Sequence, residues 1–232
     1  MRQFPLMLFA AGFGTRMGSL THDLPKPLIN VAGRSLLDHA LNLAQVPSVS
    51  RRVINLHYLG DQIAAHLVGR NVALSWELET ILETGGGLRA ALPLLGPGPV
   101  MTLNTDAVWT GANPLTELAQ AWDAGRMVAL LLLVPTARAC GHDGAGDFVL
   151  ADDGRIVRAE GRPGHIYVGA QILDPAGLQT VPETAFSLNL IWDRLIAEGR
   201  AFGLVHDGDW CDVGRPEGIA LAEAMLAQSG DV

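Results

Sequence analysis

A glycine-rich stretch near the start of the chain contains residue types that bind phosphate. It runs from Ala10 to Gly18 as AAGFGTRMG, directly after an apolar run with the length of a β-strand. Glycine lets backbone N–H groups approach an anion closely, and Arg16 adds a positive charge. Pro25 and Pro27 flank Lys26, and their fixed φ angles lower the entropic cost of presenting its ammonium to a ligand. The stretch predicts a site for a phosphorylated ligand.

The glycine spacing disfavours two well-known phosphate loops. The pattern G-x-x-x-x-G-K-[ST] is absent from the sequence, and the glycines here form G-x-G-x-x-x-G, one residue longer than the dinucleotide fingerprint. The second predicted strand is followed by Asn55 and His57 instead of the acidic residue that binds a ribose in dinucleotide-binding folds. A P-loop NTPase and a Rossmann dehydrogenase are therefore disfavoured.

Two aspartates have the positions expected of metal ligands. Asp106 in VMTLNTD and Asp212 in DWCDVG each follow an apolar, strand-like run, and strand carboxyl ends face the ligand crevice in open α/β sheets. Two carboxylates about 4 Å apart repel by roughly 4 kcal/mol at an effective dielectric constant of 20, a penalty that a divalent cation reverses. Mg²⁺ suits one or two carboxylates plus phosphate oxygens. Alternatively, Asp106 caps its loop and Asp212 pairs with Arg215.

The elements that must position these residues alternate between strand and helix. Apolar runs predict strands near 4–10, 52–56, 72–77, 100–104 and 128–134. Amphipathic segments near 36–44, 63–68 and 113–122 predict helices between them, the last with Asn113 as its N-cap. This alternation is typical of an α/β protein with a mostly parallel sheet covered by helices.

A β-rich lobe is predicted after about residue 140. The pair Asp153-Gly154 lies between two short apolar runs and indicates a hairpin. A strand at 166–173, a helix after Ser187, a strand, turn and strand within 201–214 and a helix from Pro216 complete the prediction.

Composition limits the partners and the compartment. The net charge of −8 disfavours binding of extended nucleic acid. The apolar run 128–134 is far shorter than the roughly 18 residues of a membrane span, and the N-terminus does not resemble a signal peptide. Cys140 and Cys211 show no pattern typical of a disulfide framework or a zinc site. We expect a cytoplasmic protein without a membrane partner.

Four segments together resemble the sugar-1-phosphate nucleotidyltransferases over essentially the whole chain. They are AAGFGTRM…LPKPLINVAGRSLLDHAL, LETGGGLRAALPLL, LNTDAVW and WCDVGRPEGI. The segments ETGGGL and GHDGAGDFVL and the short length resemble most the branch that transfers uridylyl groups to N-acetylmuramic acid α-1-phosphate in peptidoglycan recycling. A mannose-1-phosphate guanylyltransferase, a glucose-1-phosphate uridylyl- or thymidylyltransferase, and a catalytically silent nucleotide-sugar sensor remain alternatives.

The resemblance implies a single domain with a Rossmann-like, GT-A-like core. The nucleotide-binding core spans about 1–135, the sugar-binding lobe spans 140–210, and 211–232 contains the strand end of the metal site and a C-terminal helix. The substrates would be a nucleoside triphosphate, UTP by preference, and a sugar 1-phosphate, with Mg²⁺ as the cofactor. The sequence does not indicate an oligomeric state.

The resemblance also implies roles for individual residues. Arg16 would bind the β- and γ-phosphates, Lys26 would lie near the α-phosphate, and Asp106 and Asp212 would hold Mg²⁺; Arg16, Lys26 and Asp106 would be catalytic. The implied nucleotide-binding residues are Ala10, Ala11, Gly12, Gly14, Thr15, Thr84, Gly85, Gly86 and Asn104, with 84–86 as a turn at the base. The implied sugar-binding residues are Gly146, Asp147, Glu160, Gly169 and Asn189.

Three positions depart from the family pattern. Thr105 replaces a frequent glycine beside the nucleotide, and Phe13 replaces a polar or basic residue. The Glu-Lys-Pro sequence, whose lysine contacts the sugar phosphate in many relatives, is represented here only by Arg162 with shifted spacing. No general base is expected, because a phosphomonoester with a second pKa near ~6 is largely a dianion at neutral pH.

Overall fold

The computed structural model describes residues 2–229, which form a mostly parallel β-sheet with helices on both faces. The strands are β1 Phe4–Phe9, β2 Asn30–Val31, β3 Arg34–Ser35, β4 Val49–Leu56, β5 Ala73–Trp76, β6 Val100–Asn104, β7 Ala107–Trp109, β8 Ala129–Pro135, β9 Ala139–Cys140, β10 Phe148–Leu150, β11 Ile156–Arg158, β12 His165–Leu173, β13 Ala201–Val205 and β14 Trp210–Asp212. The α-helices are α1 Leu36–Leu43, α2 Gly60–His66, α3 Glu83–Leu95, α4 Pro114–Ala121, α5 Asn189–Ala197 and α6 Glu217–Ser229.

The central sheet confirms the predicted fold class. Its order is β11-β10-β12-β6-β1-β4-β5, with β8 paired to β12 and β13 paired to β8. The strands β6, β1, β4 and β5 run parallel, as do β8 and β13, whereas β12 is antiparallel to both β6 and β8. Because parallel strands end at the same edge, the residues after β1 and β6 lie close together, and Phe9 pairs with Asn104 there.

Alternating side chains of each strand build two apolar layers. Leu6 and Leu8 of β1 pack in one buried cluster with residues of α1, α2 and α4. Met7 points to the opposite face and packs with residues of α3 and α5. Strand β8 is buried on both faces, as its continuous apolar sequence predicts. The helices therefore fix the sheet from both sides.

The predicted lobe is joined to the central sheet. The predicted hairpin forms between β10 and β11, with Gly154 at φ +84° in its turn. However, β12 pairs with β6 and β8 and is a strand of the core, so the range 140–210 does not form a separate sheet. The boundaries of the predicted lobe stay a prediction.

A small second sheet contains one of the two aspartates. Strand β14, which ends at Asp212, lies between β7 and β9. Cys211 of β14 is the register partner of Cys140 of β9, so two cysteines distant in sequence are neighbours in space. Both are free thiols, and burial raises the pKa of the Cys211 thiol. Helix α6 packs against this sheet through Ala222 and Leu226.

The prediction of a turn at 84–86 is wrong, because these residues form the first turn of α3. Glycine disfavours helices by about 1 kcal/mol relative to alanine, so the pattern TGGG conceals the helix. Tertiary packing explains the glycines. The Phe186 carbonyl accepts hydrogen bonds from the amides of Gly85 (2.8 Å) and Gly86 (3.1 Å), and a Cβ at either glycine would collide with the segment 184–186.

No helix within residues 2–229 combines the length and the apolar character that crossing a bilayer requires.

Candidate active site

A cavity of about 300 Å³ opens where β1 and β6 end. Its volume lies at the lower end of the range of small-molecule sites, roughly 300–1,000 Å³. Ten residues implied by the resemblance line it: Ala10, Ala11, Gly12, Gly14, Thr15, Arg16, Lys26, Thr84, Asn104 and Asp106. Segments separated by almost 100 positions therefore converge on one cavity.

The glycine-rich loop approaches the Lys26 segment closely. Gly14 has φ +65°, and a Cβ there would lie 3.0 Å from both Cβ of Lys26 and Cγ2 of Thr21. The Gly14 carbonyl accepts hydrogen bonds from the Met17 amide (2.9 Å) and the Thr21 hydroxyl (3.0 Å). Glycine is therefore required at position 14 for both backbone conformation and space.

Lys26 lies against the first aspartate. Its side chain is 10% exposed, and its Nζ donates a hydrogen bond to Oδ2 of Asp106 at 2.8 Å. Lys26 is also the only lysine in the sequence. The Asp106 carboxylate is thus held beside an ammonium inside the cavity.

The second aspartate lies next to the first. Strand β14 pairs with β7, and the Val213 amide donates to the Asp106 carbonyl at 2.9 Å. Burial, followed by the negative charge of Asp106, raises the pKa of Asp212. Arg215 bonds instead to Asp143 at 2.7 Å, so the alternative pairing of Asp212 with Arg215 is wrong.

Gly214 brings Asp212 and Arg16 to the cavity wall. A Cβ at Gly214 would lie 2.6 Å from Oδ2 of Asp212 and 3.1 Å from both terminal nitrogens of Arg16. Gly214 itself lines the cavity. Arg16 is exposed and has no hydrogen bond or ion pair within residues 2–229, so its guanidinium is available to an anion.

The 81–84 segment forms another wall. Ile81, Glu83 and Thr84 line the cavity, and Glu83 has φ +58°, an uncommon conformation for a residue with a side chain. Gly85 and Gly86 do not line the cavity. Since both their amides bond to Phe186, they do not offer N–H groups to a base as the resemblance implied.

The five implied sugar-binding residues lie outside the cavity lining, and several have intramolecular partners. The carboxylate of Asp147 accepts the Tyr167 amide (2.9 Å), and Asn189 bonds to Ser187 and Arg158. The other three are Gly146, packed against Gly164, exposed Glu160, and Gly169. Gly169 is the one in contact with the cavity lining, because a Cβ there would lie 2.7 Å from the Asn104 side chain.

The three departures from the family pattern have structural consequences. The Thr105 hydroxyl donates to the Phe9 carbonyl at 2.7 Å and ties β1 to the end of β6. Phe13 is 45% exposed and contacts the rings of His57 and Tyr58. Arg162 donates to the carbonyls of Ala159 (3.0 Å) and Arg158 (2.9 Å), so its guanidinium is engaged by its own loop.

Several residues of the cavity lining are not among the predicted site residues. Glu83 and Gly214 line the cavity directly, as does Asn55, whose side chain bonds to buried Glu77. Asn55 lies near the carboxyl end of a predicted strand, at the same sheet edge as the glycine-rich loop, and this position is a signal for a site residue. Glu77, at the end of another predicted strand, gives a second signal of the same kind.

Comparison with known proteins places the chain in a family. Residues 6–143 match the MobA-like NTP transferase domain. The N-acetylmuramate alpha-1-phosphate uridylyltransferase of Caulobacter vibrioides is 41% identical over 96% of this chain and 97% of its own, and that of Neisseria meningitidis serogroup B is 32% identical over 94% and 96%. A crystal structure of UDP-glucose pyrophosphorylase complexed with UDP-glucose superimposes with a TM-score of 0.77 at 15% identity, covering 98% of this chain and 99% of that one, which supports the fold. The chain belongs to the MobA-like NTP transferase family, among the sugar-1-phosphate nucleotidyltransferases.

Proposed function

We propose that the protein transfers the uridylyl group of UTP to N-acetylmuramic acid α-1-phosphate, giving a UDP-sugar and pyrophosphate. The two relatives above have this activity in their names and match nearly the whole chain. Because UTP is a cytoplasmic metabolite, we place the reaction in the cytoplasm, in the recycling of peptidoglycan.

The observation that carries the proposal is the convergence of charged groups on one cavity. Lys26 and Asp106 form an ion pair in its wall, and the Asp212 carboxylate and the Arg16 guanidinium meet beside Gly214. Such a combination suits a triphosphate, which needs positive charge on its phosphates and a divalent cation between its oxygens and the protein.

The reaction is an in-line displacement at the α-phosphorus. A phosphate oxygen of the sugar 1-phosphate forms a bond to that phosphorus, and the bond to the oxygen bridging to the β-phosphorus breaks, so pyrophosphate leaves with the electron pair. Lys26 stabilises the negative charge on the α-phosphate, and Arg16 holds the departing pyrophosphate. Since the nucleophile is already largely ionised at neutral pH, positioning and charge supply most of the catalysis.

Asp106 and Asp212 fit a magnesium ion. Their mutual repulsion contributes to the raised pKa of Asp212, and a cation between them relieves it. Within residues 2–229 no group of three acidic, histidine or cysteine side chains forms a metal site, so phosphate oxygens and water would complete the coordination. When bound, Mg²⁺ supplies further positive charge to the phosphates.

The sugar would enter from the side of Asn104 and Gly169. Asn104 lines the cavity, and Gly169 at φ +81° lacks the Cβ that would collide with the Asn104 side chain. We also propose sugar contacts for Gly146, Asp147, Glu160 and Asn189. These residues lie outside the cavity lining, so the sugar must extend beyond it to reach them.

A substrate panel tests the function. The purified chain is incubated with Mg²⁺ and each of UTP, GTP, dTTP and CTP against the 1-phosphates of N-acetylmuramic acid, N-acetylglucosamine, glucose and mannose, and pyrophosphate is measured. We expect the highest kcat/KM for UTP with N-acetylmuramic acid α-1-phosphate. A higher value for another pair would transfer the proposal to that substrate. Nucleotide binding without pyrophosphate release from any pair would indicate a catalytically silent sensor.

A further inference from the structure

A buried polar pair lies at the cavity, with Asn55 in the lining and Glu77 outside it. Asn55 and Glu77 are each 3% exposed, and Nδ2 of Asn55 donates to Oε1 of Glu77 at 2.7 Å. Glu77 has no ion-pair partner within residues 2–229. Burying a carboxylate without a counter-charge is costly unless hydrogen bonds offset the lost hydration. The groups that donate these hydrogen bonds show which segments the pair connects.

The outer contacts of the pair reach two separate segments at the cavity lining. Oδ1 of Asn55 accepts the amide of Ala10 at 2.8 Å, where the glycine-rich loop begins. Oε2 of Glu77 accepts the amide of Leu82 at 2.7 Å, directly before Glu83 and Thr84. Three hydrogen bonds in series therefore connect the glycine-rich loop to the 82–84 segment.

The local structure makes room for this connection. A Cβ at Gly87 would lie 2.7 Å from Oε1 of Glu77 and 3.1 Å from Nδ2 of Asn55, so the last glycine of TGGG leaves space for the pair. The N-terminus of α3 also favours a nearby negative charge. Since both oxygens of Glu77 accept hydrogen bonds, the carboxylate is the form that satisfies the network.

The connection also restrains an unfavourable backbone conformation. Glu83 lines the cavity with φ +58°, a conformation that residues with a side chain adopt at a cost. The bond from Glu77 fixes the amide of the preceding residue. The cations that would bind phosphates and the aspartates that would hold Mg²⁺ belong to other segments of the chain, so we assign the 81–84 segment of the lining to the base.

We propose that Asn55 and Glu77 are positioning residues that fix the span between the glycine-rich loop and the 82–84 segment and thereby set the selectivity for the nucleotide base. This inference rests on the proposed function for the identity of the ligand, a nucleoside triphosphate. Neither side chain need take part in the chemical step.

A reciprocal exchange of the two side chains isolates this role. In Glu77→Gln, the new NH₂ group must face either the Asn55 NH₂ or the Leu82 N–H, so one hydrogen bond is lost. In Asn55→Asp, two buried carboxylates face each other. The double variant Asn55→Asp/Glu77→Gln restores all three hydrogen bonds with the pair's polarity reversed, because the new carboxylate accepts from Ala10 and from the new amide.

The experiment measures KM for UTP, GTP and N-acetylmuramic acid α-1-phosphate, together with the thermal midpoint. We expect Glu77→Gln to lower the ratio of kcat/KM for UTP to that for GTP by about tenfold, with the sugar-phosphate KM changed less than about twofold. The double variant should recover most of the ratio. Gly87→Ala, which displaces the Glu77 carboxylate without changing its chemistry, should lower the ratio as well and serves if Glu77→Gln does not fold.

Glu117→Gln is the matched control. Glu117 also bridges a side chain, that of His206, and a backbone amide, that of Asp207 at 2.9 Å, but it does not line the cavity. It should lower the thermal midpoint without changing the UTP to GTP ratio.

Two results would overturn the inference: loss of stability in Glu77→Gln with an unchanged ratio, or a double variant that regains stability but not selectivity. If the unmodified chain releases no pyrophosphate, the proposed function has failed, and dissociation constants for UTP and GTP from calorimetry then test the pair by the same criteria.

Discussion

The phosphate side and the sugar side of this protein differ in how their predicted residues are used. On the phosphate side, loop 10–16, Lys26 and Asp106 converge on one cavity. On the sugar side, Asp147 and Asn189 are bonded to neighbouring protein groups. A phosphate site can be built from turns and a few charges that are present before ligand binds. Sugar recognition depends on side chains such as Asp147 and Asn189, which would have to exchange their present protein partners for the sugar.

The largest effect should come from substitution of the two aspartates on the phosphate side. Asp106→Asn and Asp212→Asn each remove a proposed metal ligand, whose loss would cost several kcal/mol, so we expect pyrophosphate release to fall on the order of a hundredfold or more. Asp152→Asn, in the exposed turn between β10 and β11, is the control and should retain activity. An Asp212→Asn enzyme with normal turnover at limiting Mg²⁺ would exclude Asp212 as a ligand.

Lys26→Met should have the next largest effect. It removes the ammonium that we assign to the α-phosphate, and it leaves Asp106 without its ion-pair partner. We expect turnover to fall by about tenfold or more, equivalent to ~1.4 kcal/mol at minimum. Arg52→Met controls for loss of a cation, because the Arg52 guanidinium donates to the Ala44 carbonyl after α1 and does not line the cavity. Near-normal turnover of Lys26→Met would remove Lys26 from the catalytic scheme.

The raised pKa of Asp212 makes the stability of the metal-free protein depend on pH. Because the folded-state pKa lies above the ordinary value of 3.8, protonated Asp212 favours the folded state, and this contribution is lost as pH rises through the raised pKa. Metal-free Asp212→Asn should therefore melt at a higher temperature than the unmodified chain at neutral pH. The difference should disappear below the ordinary pKa. Identical melting temperatures across the pH range would contradict the raised pKa of Asp212.

The smallest effect should come from a substitution on the sugar side. The Arg162 side chain bonds to carbonyls of its own loop. We expect Arg162→Gln to change the KM for the sugar 1-phosphate by no more than about twofold, as for a surface substitution. Initial rates at saturating UTP measure this KM. A tenfold increase would instead show that Arg162 leaves its loop to bind the sugar phosphate.

Elements with local signals were predictable from the sequence. Asn113 caps α4 through the amides of Leu115 and Thr116, and β6 has the predicted bounds. The apposition of Asp106 and Asp212 was also expected, since both follow strands. The cap and the strand depend on backbone geometry and periodicity, which a short window of sequence encodes, whereas the apposition follows from the rule that strand carboxyl ends face one crevice.

Features that depend on tertiary packing were not predictable. The glycines of TGGG gave no helix signal, because the need for glycine arises from Phe186 and from Glu77. In the sequence, Asn55 argues only against a dinucleotide site, although its side-chain oxygen accepts the Ala10 amide at the start of the glycine-rich loop. The position of β12 inside the core likewise follows from pairing with β6 and β8, which no local pattern specifies.

The most direct test of the site is a crystal of this protein grown with UTP and Mn²⁺, with anomalous scattering used to locate the metal. We expect an anomalous peak bonded to both Asp106 and Asp212, with Nζ of Lys26 within hydrogen-bond distance of the α-phosphate. A metal bound elsewhere, or a triphosphate that does not contact Lys26, would contradict this expectation.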